Sequence, residues 1–367
     1  MFDDIRPYID AEIPEAMKRL AADKYFQLVS GFLFPEKPVE EVAAIVRSCR
    51  SAEEFQRRFM YDAIWSIAYK TTDGLTVEGM EKLDPSKNYL FVSNHRDIVL
   101  DAALLDLALY RSDNRKKCEM VIGDNLLVNQ FTTDLFKVNG AITVRRSLSS
   151  TRDLREETLR LSRYIRYAIE QKGVSLWIAQ KSGRSKDGVD NTSPAILKML
   201  YLAYREDGLS FQDFIKRASI VPVAISYQYD PCDITKSEEQ IRKLKAEGVY
   251  NVYVKKKYAD VLDLVRGLRL NKGNVHIQVG NPLGDGIEDV AAAVRETDRQ
   301  IHMNYKLWDT NYFAYDHLNG TKKFESEYAD MNTRSFVRHY RHLKPEVREL
   351  VFREYANPVI SMLNEVK

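Results

Sequence analysis

Residues 84–101 read Asp84-Pro85-Ser86-Lys87-Asn88-Tyr89-Leu90-Phe91-Val92-Ser93-Asn94-His95-Arg96-Asp97-Ile98-Val99-Leu100-Asp101. Turn formers open the stretch, a short and nearly unbroken apolar run follows, and a loop rich in titratable side chains comes after it. A run of that length behind a turn is the pattern of a strand buried on both faces. Such strands belong to sheets covered by helices on both sides, so this stretch points to an α/β fold. It also puts His95, Arg96 and Asp97 just past the carboxyl end of a strand, where open α/β sheets gather ligands and catalytic groups.

The same grammar continues outward. Ala102 to Tyr110 reads as a helix. Further strands are expected at Met120–Gly123, Ala141–Val144, Val174–Ala179, Ser219–Tyr227 and Val275–Val279. Helices are expected between them, from Arg152 to Gln171, closed by Lys172-Gly173, and from Pro194 to Tyr204. Short apolar strands alternating with helices predict a mainly parallel sheet flanked by helices. Toward the N-terminus, Glu12–Phe34, Glu40–Ser48 and Ser51–Tyr69 carry helical spacing, with Ser51 and Glu54 forming a capping-box pattern. No strand alternation is visible before Leu75. The tail is helical again from about Glu288. The expected organisation is an N-terminal helical region over 1–74, an α/β domain over 75–287, and a helical extension over 288–367 packed on the core.

Composition narrows the function classes. A chain of 367 residues with 44% hydrophobic and 29% charged side chains has the makeup of a globular protein with a substantial core. A net charge of +2 gives no basis for a nucleic-acid partner. Cys49, Cys118 and Cys232 are odd in number and far apart, which argues against a disulfide framework or a cysteine zinc site and fits a reducing cytoplasm. The acidic start Met1-Phe2-Asp3-Asp4 does not read as a signal peptide. No stretch approaches the ~20 apolar residues needed to span a bilayer. The expectation is a cytoplasmic protein that can lie on a membrane without crossing it.

A histidine with carboxylates close behind it is suited to general-base work, one acid orienting the ring and stabilising its charge. His95 with Asp97 or Asp101 offers that arrangement. The structural alternative makes Asp101 a helix N-cap and Asp97 a turn residue.

Four blocks of the chain, in order, resemble the glycerolipid acyltransferases, enzymes that acylate glycerol 3-phosphate or lysophosphatidate. Ser93-Asn94-His95-Arg96-Asp97 through Asp101 is similar to the family's N-H-x-x-x-x-D block. Asn139-Gly140-Ala141-Ile142-Thr143-Val144-Arg145-Arg146 is similar to its G-x-I-x-x-x-R block. Ile178-Ala179-Gln180-Lys181-Ser182-Gly183-Arg184-Ser185 is similar to its F-P-E-G-x-R-S block. Ile220-Val221-Pro222-Val223 is similar to its V-P-V block. The four span about residues 75–285 and leave the N-terminal helices and the C-terminal tail outside. There are two departures. Asp101 lies one residue further from His95 than the family's Asp, and Lys181 and Ser182 stand where its Glu falls.

The resemblance implies an O-acyltransferase of membrane phospholipid synthesis at the inner face of a bacterial cell membrane. His95 would be the general base, with Asp101 or Asp97 behind it. Arg145, Arg146, Arg184 and Lys186, with the backbone at Gly183, would take the acceptor's phosphate, since a guanidinium fork suits phosphate oxygens. The donor would be acyl-CoA or acyl carrier protein, and the acceptor a glycerophosphate or lysolipid. Peripheral membrane contact would follow, and no metal or cofactor is required. Two alternatives remain at this stage: a different acceptor such as a lyso-aminolipid, and a non-catalytic lipid-binding homologue. Tyr25, Phe26, Phe32, Leu33 and Phe34 could pack on the core or dip into a bilayer interface. The basic segment around Lys255-Lys256-Lys257, Arg266, Arg269 and Lys272 reads as a solvated face or one that attracts anionic headgroups or an acidic carrier protein.

Overall fold

The computed structural model describes residues 2–112, 118–145, 150–248, 253, 255 and 258–366. Arg146, Lys256 and Lys257 lie outside the described residues. Seven strands form one sheet: β1 (Gly74–Glu78), β2 (Leu90–Ser93), β3 (Cys118–Gly123), β4 (Ala141–Val144), β5 (Ser175–Ala179), β6 (Ile220–Tyr227) and β7 (Asn274–Val279), in the order β1-β7-β6-β2-β5-β3-β4. Every neighbouring pair is parallel except β6 with β7, which is antiparallel. The expected mainly parallel α/β fold is therefore observed.

The central strand explains its own sequence. β2 pairs with β5 on one side and β6 on the other, in register from Leu90 opposite Leu176 and Ile220. All four of its residues are buried. Phe91 joins Trp177, Val221 and Val223 in the core on one face of the sheet. Leu90 and Val92 join Leu176, Ile178 and Ile220 on the other. Burial on both faces makes Leu90, Phe91 and Val92 an unbroken apolar run rather than an alternating one, and the buried Ser93 that ends it is satisfied by donating to Asn94 O and accepting from Trp177 Nε1.

β1 escaped the sequence reading. It is an edge strand on β7, where Leu75 and Val77 only half-bury against the core, while Thr76, Glu78 and Gly74 interrupt any apolar run. The expected single helix over Glu12–Phe34 is instead two, Ile13–Ala22 and Lys24–Leu33, broken where Asp23 turns extended and caps the second by accepting from Tyr25 N at 2.7 Å. The helical stretch from Ser51 is present: Ser51 accepts from Glu54 N at 3.1 Å. The expected box is not closed, because the Glu54 side chain accepts from Arg50 N at 2.8 Å and not from Ser51 N. Gly173 ends the long helical segment that begins at Thr151, in the left-handed conformation (φ 73°) that glycine tolerates. The apolar side chains of the N-terminal helices run without a gap into the core beneath the sheet. The C-terminal helices close a separate cluster around Phe336, Phe352 and Tyr355.

Candidate active site

The loop after β2 is locked before it reaches His95. Asn94 imitates a strand partner: its side chain accepts from Ile225 N at 2.8 Å and donates to Ile225 O at 2.9 Å, bolting the loop to β6. Arg96 points away from the histidine into a buried ion cluster. It donates to Asp190 Oδ2 at 2.6 Å, lies 5.2 Å from the Tyr305 ring, and faces Glu354 of the helix Pro345–Glu365. Ser185 N donates to His95 O at 2.7 Å, which ties the Lys181–Gly188 loop beyond β5 to the same turn. The first and third sequence blocks are thereby joined through backbone.

Asp101, not Asp97, meets the imidazole. The His95 Nδ1 to Asp101 Oδ2 distance is 2.8 Å. The same oxygen accepts from Arg96 N at 2.6 Å and Asp97 N at 3.0 Å, and Oδ1 accepts from the Tyr227 hydroxyl at 2.7 Å. The extra residue between His95 and Asp101 is absorbed by the tight turn that carries those two backbone donors. Asp97 instead caps the helix Leu100–Arg111, accepting from Val99 N at 3.0 Å and Leu100 N at 2.8 Å. Asp97 thus keeps the turn role of the structural alternative, while Asp101, already inside the first turn of the helix, is the ring partner and not its N-cap. Burial, then the charge of Asp101, raises the Asp97 carboxyl above its ordinary value. Burial and Asp101 together push the Tyr227 phenol well up, so it stays a hydrogen-bond donor.

With the Nδ1 proton held by a carboxylate, the basic nitrogen is Nε2. The ring packs edge-on to Trp177 at 5.4 Å between centroids, and the indole is itself anchored by donating to Ser93 Oγ at 2.8 Å. His95 lines a cavity of about 670 Å³ that crosses the carboxyl ends of β2, β5, β3 and β4. One part is apolar, walled by Val121, Ile122, Val144, Leu161, Ile196 and Met199.

The other part is charged. Arg184 is 5% exposed, donates from Nη2 to Asp263 Oδ2 at 2.7 Å, and leaves Nη1 without a hydrogen-bond partner. Lys186 and Lys255 share Glu239, at 2.6 and 2.8 Å, and Lys255 also meets Asp260 Oδ1 at 2.6 Å. Asn125 donates to Asp260 Oδ2 at 2.8 Å. Burial works against the Glu239 carboxylate, but hydrogen bonds from the two lysines hold it below its ordinary value. Gly183 (φ 79°) borders the cavity with open space where a side chain would sit.

The predicted cations are therefore only partly brought together. Arg184, Lys186 and Gly183 share the loop beside His95. Arg145 lines the same cavity but at the end of β4, three strands from β2, roughly 14 Å across the sheet at the usual strand spacing. It is paired with Asp4 at 2.9 Å and half exposed. Sequence reasoning missed Tyr227, Trp177, Asn125, Glu239 and the Asp260/Asp263 pair. Tyr227 sits at the end of a recognisable strand, but nothing local marks its hydroxyl as aimed at Asp101. Glu239, Asp260 and Asp263 come from helices more than 50 residues beyond the loop they neutralise.

The acyltransferase family model matches residues 74–226. Comparison with curated proteins gave no match. Among solved structures the chain is similar to the 1-acyl-sn-glycerophosphate (LPA) acyltransferase PlsC from Thermotoga maritima. The identity is 15%, the match covers 80% of this chain and 95% of that one, and the TM-score is 0.39.

Proposed function

We propose that this chain, whose residues 74–226 match the acyltransferase family model, moves a fatty acyl group from a thioester to the hydroxyl of a phosphate-bearing glycerolipid precursor. The observation that carries the reading is His95: its Nδ1 is held by a buried carboxylate, its other nitrogen is left basic, and it lines a cavity that is apolar at one part and charged at the other.

The chemistry needs no group beyond the chain. His95 Nε2 takes the proton from the acceptor hydroxyl as the oxygen attacks the thioester carbonyl. Asp101 stabilises the imidazolium that forms. The tetrahedral intermediate collapses, the C–S bond breaks, and the imidazolium returns its proton to the departing thiolate. The apolar part of the cavity takes the acyl chain and excludes water from the thioester. Arg184 Nη1 is the donor best suited to an anionic acceptor group, with Lys186 and Gly183 beside it. Arg145 borders the acyl end. The donor is acyl-CoA or acyl carrier protein, and the acceptor glycerol 3-phosphate or lysophosphatidate. The domain division 1–74, 75–287 and 288–367 makes the flanking helices supports of this central catalytic unit, at the inner face of the cell membrane.

A second acceptor reading has its own support. Glu239, Asp260 and Asp263 already neutralise most of the cationic end, which would suit an acceptor carrying an ammonium group, such as a lyso-aminolipid. One experiment addresses both. Thiol release from palmitoyl-CoA, and separately from palmitoyl acyl carrier protein, is measured with glycerol 3-phosphate, lysophosphatidate or a lyso-aminolipid, beside a His95→Ala control. Release with one acceptor, abolished in the control, is expected. Full activity in His95→Ala would remove the general base, and no release with any pair would leave the lipid-binding alternative.

A further inference from the structure

The two residues that flank His95 are tethered to one buried atom. Asp190, 3% exposed, lies in the loop beyond β5 that also carries Arg184 and Lys186. Its Oδ2 accepts from Asn94 Nδ2 at 3.1 Å and from Arg96 Nη2 at 2.6 Å. Oδ1 has no hydrogen-bond partner among the described residues, so both bonds fall on a single oxygen. Neither Asn94, Arg96 nor Asp190 lines the reaction cavity. Asn94 and Arg96 therefore turn to the side away from it, as alternate residues of an extended chain do, and His95 is left facing it. One tether would leave this turn free to roll about its own axis. Two tethers to the same atom fix the roll, and the roll decides where the imidazole points.

Asp190 is held from behind by segments outside residues 74–226. His302 Nε2 donates to Asp190 O at 3.0 Å, and His302 Nδ1 lies 2.8 Å from Glu365 Oε1 at the end of the helix Pro345–Glu365. From the same helix Asn357 Nδ2 donates to Asp187 O at 2.6 Å. Arg96 Nη1 lies 3.8 Å from Glu354 Oε1, and Glu354 pairs with the fully buried Lys236, which donates to Asp230 Oδ2 at 2.5 Å. Arg96, Asp190, Asp230, Lys236 and Glu354 are all buried. A buried ion cluster is seldom more stabilising than apolar side chains of the same volume. What its charge-assisted bonds supply is direction.

We propose that Asp190 is a positioning residue for His95, and that the helix Pro345–Glu365 holds Asp190 in place. The C-terminal extension thereby sets the geometry of a site whose reacting groups it does not carry. Because Asp190 and Arg184 share one loop, the same tether also sets the imidazole against the guanidinium that faces the acceptor. The catalytic consequence rests on the acyl-transfer reading; the tether rests on the hydrogen bonds.

Three variants separate positioning from plain stability. Arg96→Met with Asp190→Leu removes the tether and its charge pair together, an exchange that leaves buried sites folded when volume is kept. Asp190→Ala removes the tether alone. Asp190→Asn keeps an oxygen that can accept from both neighbours. Thiol release from palmitoyl-CoA gives kcat and KM, and circular dichroism gives the folded fraction. Nitrogen NMR of isotope-labelled histidines at alkaline pH gives the tautomer of His95, assigned by its loss in His95→Ala. The parent ring is expected to carry its proton on Nδ1, facing Asp101. In the paired variant and in Asp190→Ala, kcat per folded molecule should fall roughly a hundredfold, the scale of a displacement of about 1 Å, with KM within about twofold. The tautomer protonated on Nε2 should appear in both. Asp190→Asn should stay within about tenfold of the parent. A paired variant with parental kcat, or a parental tautomer in every folded variant, would overturn the inference. Absence of thiol release by the parent would remove the acyl-transfer reading alone, since the NMR measurement needs no turnover.

Discussion

Exchanging each loop carboxylate for its amide separates the two roles the structure assigns. In Asp101→Asn the side-chain oxygen can still accept from His95 Nδ1, Arg96 N and Asp97 N, and the new amide faces the Tyr227 hydroxyl, which can turn to accept. The geometry survives; the negative charge beside the imidazolium does not. Two unit charges with centres about 4 Å apart interact by about 4 kcal/mol at an effective dielectric of about 20. The transition state, in which the ring gains its proton, loses that term, so kcat should fall about a thousandfold at 1.36 kcal/mol per decade. In Asp97→Asn the amide oxygen still caps Val99 N and Leu100 N, and a buried carboxylate whose second oxygen has no hydrogen-bond partner is removed. Its kcat should stay within tenfold of the parent and its urea midpoint should not fall. Single-turnover thiol release from palmitoyl-CoA, with circular dichroism on each variant, reads both. A folded Asp97→Asn protein that is inactive beside an active Asp101→Asn protein would refute the assignment.

Other expectations follow from particular contacts. Tyr227→Phe leaves Asp101 Oδ1 buried without its donor, so kcat should drop about tenfold, for a hydrogen bond of about 1.5 kcal/mol, with KM little changed; an unaltered kcat would count against a positioning role. Gly188 has φ 74°, and a Cβ there would stand 2.1 Å from the Glu354 carbonyl oxygen, so Gly188→Ala should cost more than about 2 kcal/mol in urea unfolding. A loss under half of that would mean the loop and the C-terminal helix separate easily. Burial lowers the Lys137 pKa to about 8. Because the folded value lies below the unfolded one, its contribution to stability is fully present above the unfolded pKa and is lost as pH falls toward 8. Relative to Lys137→Met, the parent should therefore gain about 1 kcal/mol between pH 7 and pH 9 in urea midpoints, and a flat difference would show that the ammonium is not destabilised.

Much of the fold was legible because burial leaves a local mark. Strands covered on both faces are apolar at nearly every position, with Ser93, Ser175 and Ser226 the buried exceptions, so β2, β5 and β6 announced themselves. β1 did not, because Thr76 and Glu78 are exposed, Leu75 and Val77 are only half-buried, and Gly74 carries no side chain. The helix Asp233–Gly248 carried no sequence reading and Ala259–Arg269 was read only as part of a basic segment, yet they carry Glu239, Asp260 and Asp263 to the cavity or its cations. Their acidic residues look like ordinary solvated helix positions until the fold brings Arg184, Lys186 and Lys255 against them.

The sequence by itself determined the α/β class, the position of His95 beyond a buried strand, and the cationic loop around Arg184, since each depends on residues close together in the chain. Only the tertiary structure decided which carboxylate serves the imidazole. Asp97 and Asp101 differ by one helical turn, and the choice depends on the path of a turn that spends two backbone N–H groups on Asp101 and on a phenol reaching it from β6. It likewise decided that Arg145 stands across the sheet from Arg184. Hydrophobic pattern is a short-range property of the chain, whereas the charge and shape of a site are sums over segments that folding alone makes neighbours.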